Sequence, residues 1–249
     1  MQGRYDLSDR VILVTGAGTG IGAAVSRALA ASGATVALLG HRVAELEGVY
    51  DAIESAGGPR PAICPLNLES IQWDEYRKLA DMLGETFGRL DGLLHNAARL
   101  TGFTPLALFD PEEWVRTIQI NLNAPFFLTR ACLPLLERSA DASVLFTGDE
   151  MGRRGRAYAG AYGASKFGIE GLAKTLAEET EVNTSVRSNS IDPGPVRTAL
   201  RERIQFGPEL EELPRPEDVV EPYLFLLGPD GRGITGQVFS AQGDGPWQR

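Results

Sequence analysis

The chain has 249 residues, 43% hydrophobic and 23% charged, an ordinary globular composition with enough length for one α/β domain and a large core. Its net charge of −9 at pH 7 repels phosphate backbones and anionic lipid, which excludes general binding to nucleic acid or to a membrane surface. The two cysteines, Cys64 and Cys132, and the two histidines, His41 and His95, do not suffice for a Cys/His metal cluster, so no metal is expected.

Segment 1–10 is polar with no apolar signal core, and no run approaches the roughly 18 apolar residues of a membrane helix; a soluble protein of the reducing cytoplasm is expected. β-Branched and aliphatic runs predict buried strands over 11–15, 35–39, 61–66, 90–95, 143–147, 185–190 and 237–241, separated by amphipathic helical segments. Such alternation needs crossover connections. It predicts an α/β fold of Rossmann type, a doubly wound parallel sheet of about seven strands with helices on both faces. No linker, repeat or low-complexity tract interrupts it, and residues 1–249 read as one domain.

The first strand runs into Thr15-Gly16-Ala17-Gly18-Thr19-Gly20-Ile21-Gly22 and straight on into a helix, which Gly33 closes as a left-handed residue. Glycines at a strand–helix junction let the backbone turn tightly and approach a pyrophosphate, which then rests on the positive helix N-terminus. The spacing is G-x-x-x-G-x-G rather than G-x-G-x-x-G, and a tight turn needed only for packing is the alternative. After the second strand comes Leu39-Gly40-His41-Arg42. A carboxylate there would bind ribose hydroxyls and repel a 2′-phosphate. None is present and Arg42 supplies a cation, which favours NADP over NAD; the alternative is a solvated arginine opening the next helix. His41 helps a phosphate only when protonated.

Further along, Asp110-Pro111-Glu112-Glu113 reads as the N-cap acid, first-position proline and third-position glutamate of a helix. Tyr162-Gly163-Ala164-Ser165-Lys166 sets a phenol and an ammonium four residues apart on one helix face. A lysine cation favours the phenolate and lowers the tyrosine pKa from about 10, which fits the pair for proton exchange with a carbonyl or an alcohol; an ordinary helix face is the alternative. The stretch 195–216 is the least regular; it is either a mobile flap over a site, placed at 195–215, or a surface loop.

TGxxxGxG, Asn96-Ala97-Ala98 after the fourth strand, Asn121 in a long helix, Tyr162-x-x-x-Lys166, Asp192-Pro193-Gly194 followed by Thr198, and Gly236-Gln237 occur in one order. In this the chain resembles the short-chain dehydrogenase/reductase family along essentially its whole length. Segments 152–162 and 235–242 are most similar to the bacterial YciK-type oxidoreductases within that family. The resemblance implies a pyrophosphate wrapped by Gly16, Thr19, Gly20, Ile21 and Gly22, and an adenosine side lined by Asn96, Ala97 and Ala98. Asn67 and Leu68 would touch adenine, with Asn67 standing where the family commonly has an aspartate. Tyr162 would be the proton donor, Lys166 would hold the nicotinamide ribose and depress the tyrosine pKa, and Asn121 would keep a water for proton relay. Pro193, Gly194, Val196 and Thr198 would support the carboxamide. The reaction implied is NADP-dependent hydride transfer to or from a small carbonyl or secondary alcohol. A homodimer or homotetramer is also implied, packed on the Tyr162 helix, where Gly168 and Gly171 would permit close approach.

One position departs from the pattern. The family places a serine thirteen residues before the tyrosine to bind the substrate oxygen; here that position is Asp149. An ionised carboxylate opposes a developing alkoxide, whereas a protonated one would still donate. Thr147 is the nearest substitute hydroxyl, two residues away. Asp149 therefore motivates an alternative, a dinucleotide-binding sensor or scaffold with impaired catalysis. Elimination or dehalogenation on the same fold is opposed by the retained Lys166 and the nicotinamide pocket. Arg153, Arg154 and Arg156 flank the site as a solvated loop, or as partners for an anionic substrate or for Asp149 and Glu150.

Overall fold

A computed structural model describes residues 4–70 and 72–248. Seven strands form one all-parallel sheet in the order β3-β2-β1-β4-β5-β6-β7. They are β1 (Val11–Thr15), β2 (Thr35–Gly40), β3 (Ala62–Pro65), β4 (Gly92–His95), β5 (Ala142–Thr147), β6 (Val186–Asp192) and β7 (Val238–Ser240). The helices are α1 (Gly20–Ala31), α2 (Val43–Ser55), α3 (Trp73–Phe87), α4 (Pro111–Ile118), α5 (Ala124–Leu136), α6 (Gly160–Thr180) and α7 (Glu221–Leu227). Every predicted strand is present. The bounds differ most where side chains end the pairing: β6 continues to Asp192, just before Pro193, which has no N–H to donate.

The side-chain period of two makes two cores from one sheet. Ile12, Val14, Val36, Leu38, Leu94 and Leu145 face α1, α2 and α7, where Leu29, Leu46, Ile53 and Tyr223 cover them. Val11, Leu13, Leu39, Leu93, Val144 and Phe146 face the other way, against Tyr76, Leu83, Leu128, Cys132 and Ile169 of α3, α5 and α6. Because both faces are covered, the strands read as continuous apolar runs rather than alternating ones. The strand order reverses between β1 and β4, which opens a crevice at the carboxyl ends of these two strands. No helix among the described residues is long and apolar enough to cross a membrane.

Two local expectations differ from what is found. The long helix expected around Asn121 is interrupted: Gln119–Asn123 forms a π turn between α4 and α5. Pro125 accounts for it, because its ring clashes with the carbonyl four residues back in a regular α-helix, and that residue is Asn121. Asp110 caps α4 through the Glu112 N–H at 2.9 Å, with Pro111 in the first turn as expected. Glu113, however, does not turn back to the cap; it is gripped by Arg99 and Arg116.

His95 ends β4 in the core. Its Nε2 lies 2.8 Å from the Thr129 hydroxyl, and its ring stacks on Phe146 with centroids 4.7 Å apart. Burial pushes its pKa from 6.5 down to about 3. The unfolded chain therefore takes up this proton before the folded one does. The contribution to stability is complete above the unfolded value near 6.5 and is lost as pH falls, by about 1.4 kcal/mol per unit until the folded value is reached. Calorimetric melting should show a steady Tm near neutral pH and a decline from pH 6 toward 4 that His95→Leu makes shallower; an equal slope in the variant would contradict this assignment.

Candidate active site

Three positions of the turn after β1 require glycine. Gly16 and Gly20 hold φ of +65° and +53°. A Cβ on Gly22 would stand 2.2 Å from the Gly16 carbonyl oxygen and 2.6 Å from Asn96 Nδ2. Thr19, the N-cap of α1, is extended, makes no side-chain cap hydrogen bond, and no acid lies in the first turn. The N-terminal N–H groups of α1 thus keep the positive end of the helix open to an anion.

Thr15, to which sequence reasoning gave no role, ties this turn to the next strand. Its hydroxyl accepts from the N–H groups of Asn96 and Ala97 at 2.9 and 3.0 Å and donates to the Leu94 carbonyl at 3.3 Å. Asn96 Nδ2 donates back to the Thr15 carbonyl at 3.3 Å. The only signal available was its place as the first residue of TGxxxGxG.

A groove of about 480 Å³ runs over the carboxyl ends of the strands and is lined by Gly16, Thr19, Gly20, Ile21, His41, Arg42, Asn67, Leu68, Asn96, Ala97 and Ala98. Of the eleven, Arg42 opens α2, as the second reading of the sequence has it. It is the N-cap of α2, half exposed, with Nη1 2.8 Å from Glu45, and it borders the groove. His41 and Asn67 are exposed at the same rim, and the Asn67 carbonyl oxygen accepts from the Glu69 N–H at 3.1 Å. Gly22 lies behind the turn, as a packing residue.

A smaller pocket of about 90 Å³ adjoins the groove through Ile21, Asn96 and Ala98, and brings together Asp149, Tyr162, Lys166, Pro193, Gly194, Val196 and Thr198. Leu100, Leu200 and Ile204 give it an apolar side, packed with Met151, Ala159 and Tyr162. Leu200 and Ile204 come from the irregular stretch after β6, so part of that stretch covers the pocket. Gln242, also missed in the sequence, holds the other wall: its amide donates to the carbonyls of Pro193 and Pro195, both at 2.8 Å. Nothing local signals this contact, which spans 49 residues.

Tyr162 and Lys166 rise from α6 on one face, but their couplings differ from expectation. The Tyr162 hydroxyl donates to Asp149 Oδ2 at 3.0 Å, while Lys166 Nζ donates to the Thr147 carbonyl at 2.6 Å and sits 5.5 Å from the tyrosine ring centre. The phenol pKa is therefore raised well above 10, not lowered. Burial is the largest cause, followed by the charge of Asp149 and its hydrogen bond, then Asp192, with Arg201 opposing. Burial lowers the Lys166 pKa, against the attraction of Asp149, Asp192 and Glu170. The Thr147 hydroxyl is buried and, among the described residues, has no hydrogen-bond partner, so it offers no substitute for the serine.

Asn121 is buried beneath the pocket. Its Oδ1 accepts from the Arg99 N–H at 2.7 Å, and its Nδ2 donates to the Arg99 carbonyl at 3.0 Å and to Ser165 Oγ at 3.1 Å. Its side chain braces the segment after β4 against α6. Arg153 is not simply solvated: it binds Asp192 at 2.6 Å and Glu170 at 3.3 Å, rather than Asp149 or Glu150. Arg156 lies over the Phe103 ring at 5.0 Å. Gly168 is explained within the chain, since a Cβ there would stand 2.7 Å from Leu122; Gly171 has open space beside it.

Residues 10–207 match the family described as short chain dehydrogenase. The oxidoreductase YciK of Escherichia coli K12, itself uncharacterised, is 41% identical over 95% of this chain and 93% of its own. A Pseudomonas syringae structure of the short chain dehydrogenase kind is 51% identical, with a TM-score of 0.92 over 97% of this chain and 98% of that one. A protein from Escherichia coli CFT073, crystallised with NADPH, is 41% identical, with a TM-score of 0.92 over 97% of this chain and all (100%) of that one.

Proposed function

The chain belongs to the short-chain dehydrogenase family, and on that footing we propose that it is an NADP-dependent oxidoreductase acting on a small carbonyl or secondary alcohol, with Tyr162 as the proton-exchanging group. The observation that carries this reading is the meeting of the glycine-turn groove with a pocket holding both the Tyr162 hydroxyl and the Lys166 ammonium. The groove suits a dinucleotide: an uncapped helix N-terminus for the pyrophosphate, a turn that admits no side chain at Gly16 and Gly22, and Arg42 at the far rim for a 2′-phosphate. The relative crystallised with NADPH supports the same cofactor.

Bound NADPH supplies the hydride. Tyr162, kept in its phenol form by burial and Asp149, is ready to give a proton to a carbonyl oxygen. Alcohol oxidation needs the phenolate, so the reductive direction is favoured. Lys166, whose Nζ donates to the Thr147 carbonyl at 2.6 Å, would hold the nicotinamide ribose, and Asn121 acts by holding Arg99 and α6 in register rather than by touching substrate. The irregular stretch 195–215 serves as the substrate flap.

Titration of the protein with NADPH and NADH tests the cofactor reading. NADPH binds more tightly, and Arg42→Ala weakens NADPH by about tenfold while leaving NADH unchanged, because only the 2′-phosphate meets the guanidinium. An unchanged ratio in the variant would remove Arg42 from the site. The hydrogen bond of Tyr162 to Asp149 favours one second reading, a dinucleotide-binding protein with impaired catalysis, which predicts tight NADPH binding without hydride transfer.

A further inference from the structure

Where a carbonyl-reducing pocket needs a hydrogen-bond donor, this one has an acceptor. Asp149 Oδ1 accepts from the Met151 N–H at 2.9 Å, which opens the short turn Glu150–Gly152, and Oδ2 faces the pocket and accepts a hydrogen bond from the Tyr162 hydroxyl at 3.0 Å. The other charged groups around the phenol are committed elsewhere. Lys166 on α6 donates to the Thr147 carbonyl, and Asp192 at the end of β6 and Glu170 on α6 share Arg153. Arg201, from the stretch after β6, donates to Gln205 at 2.8 Å.

The sign of the charge at the reacting heteroatom decides which substrates such a site serves. A carbonyl oxygen gains negative charge as its carbon accepts hydride, and a carboxylate beside it opposes that gain. An imine nitrogen is basic and enters hydride transfer as the protonated, positively charged C=N, which the same carboxylate attracts and orients through the N–H. The apolar side formed by Leu100, Leu200 and Ile204 suits a small hydrocarbon frame around that one polar bond.

We infer that the pocket prefers carbon–nitrogen double bonds, reducing small iminium substrates to amines, with Asp149 Oδ2 binding the substrate N–H. The inference rests on the NADPH-dependent reading above. The substrate carries its proton in from solvent. Its carbon receives hydride and forms the new C–H bond, and the π electrons of C=N become the nitrogen lone pair. The balance is iminium plus NADPH giving amine plus NADP⁺; the substrate is reduced by two electrons and the cofactor oxidised by two. Tyr162 keeps its proton and acts as a positioning group for this substrate class.

The test compares kcat/KM for matched water-stable pairs, 2-methyl-1-pyrroline with cyclopentanone and 3,4-dihydroisoquinoline with 1-tetralone, in the unmodified protein and in Asp149→Ser and Asp149→Asn. Serine and asparagine both still accept from the Met151 N–H, so the local turn is retained. The unmodified protein reduces each imine at least about tenfold better than its ketone, Asp149→Asn loses that preference, and Asp149→Ser reverses it. Calorimetry gives a readout independent of turnover: pyrrolidine binds the protein–NADPH complex more tightly than cyclopentanol, and Asp149→Asn removes the difference. A ketone reduced as well as its imine, or a preference indifferent to Asp149, overturns the inference and leaves the oxidoreductase reading standing. No imine turnover also overturns it, and NADPH titration then shows whether the cofactor reading falls with it.

Discussion

Tyr162→Phe is expected to lower kcat/KM for carbonyl reduction by about a hundredfold to ten-thousandfold, the range spanned by removal of a positioned general acid. NADPH affinity should stay within about twofold, because the hydroxyl faces Asp149 and the substrate side of the pocket. The fold should tolerate the change well, since the ring and its packing against Leu100, Met151 and Ala159 remain. The lost hydroxyl leaves Asp149 Oδ2 without its phenol partner, and the pocket admits water to replace it. Iminium substrates should suffer less, because they arrive with their own proton. Steady-state kinetics with both substrate classes, alongside a fluorescence titration of NADPH, reads all of this from one variant. Undiminished carbonyl turnover would remove Tyr162 from the chemistry.

Gly22→Ala is expected to damage cofactor binding at its source. The new methyl would meet the Gly16 carbonyl oxygen at 2.2 Å and the Gly16 carbonyl carbon at 2.8 Å, and these are backbone atoms that cannot rotate away. Relief requires the turn to move off α1, at a cost of about 1–3 kcal/mol in stability. The same shift carries Gly16 and Gly20 out of the geometry that receives a pyrophosphate, so NADPH affinity should fall by about tenfold or more. Gly48→Ala is the matched control. Gly48 is exposed in α2 with nothing within 4 Å of the added atom, and there alanine should raise stability by up to about 1 kcal/mol. Denaturant melts and NADPH titrations of the two variants should move in opposite directions in stability. Comparable melts and affinities would mean that the turn is more pliant than its packing indicates.

The strands and the glycine turn were legible because their causes are local. A strand buried on both faces must be apolar throughout, and a turn that admits no Cβ must be glycine, so Val11–Thr15 and Gly16–Gly22 carry their structure in their composition. The π turn at Asn121 was hidden although its cause is also local. Pro125 acts on a carbonyl four residues back, and the hydrophobic pattern of a long helix passes over the interruption. The ionisation of Tyr162 was misjudged because spacing reveals only the lysine on its own helix. The carboxylate that raises the phenol pKa, Asp149, lies 3.0 Å from the hydroxyl, just past β5 and thirteen positions earlier in the chain, and burial raises it more. Gln242 was missed, and Arg153 was left between a solvated loop and other partners, for the related reason that their actual partners are distant in sequence; a glutamine or an arginine in a loop has no pattern until the fold supplies its carbonyl or its acid.

The most direct test of the account is isotopic. NADPH deuterated at C4 of the nicotinamide, incubated with the unmodified protein and the paired ketone and imine substrates, should deliver deuterium to the former C=O or C=N carbon, read by mass spectrometry of the product. Tyr162→Phe should slow appearance of the label on the ketone carbon by about a hundredfold or more while still binding the cofactor. NADPH bound tightly, with no deuterium in any product, would contradict hydride transfer and leave a dinucleotide-binding protein that uses this fold without its chemistry.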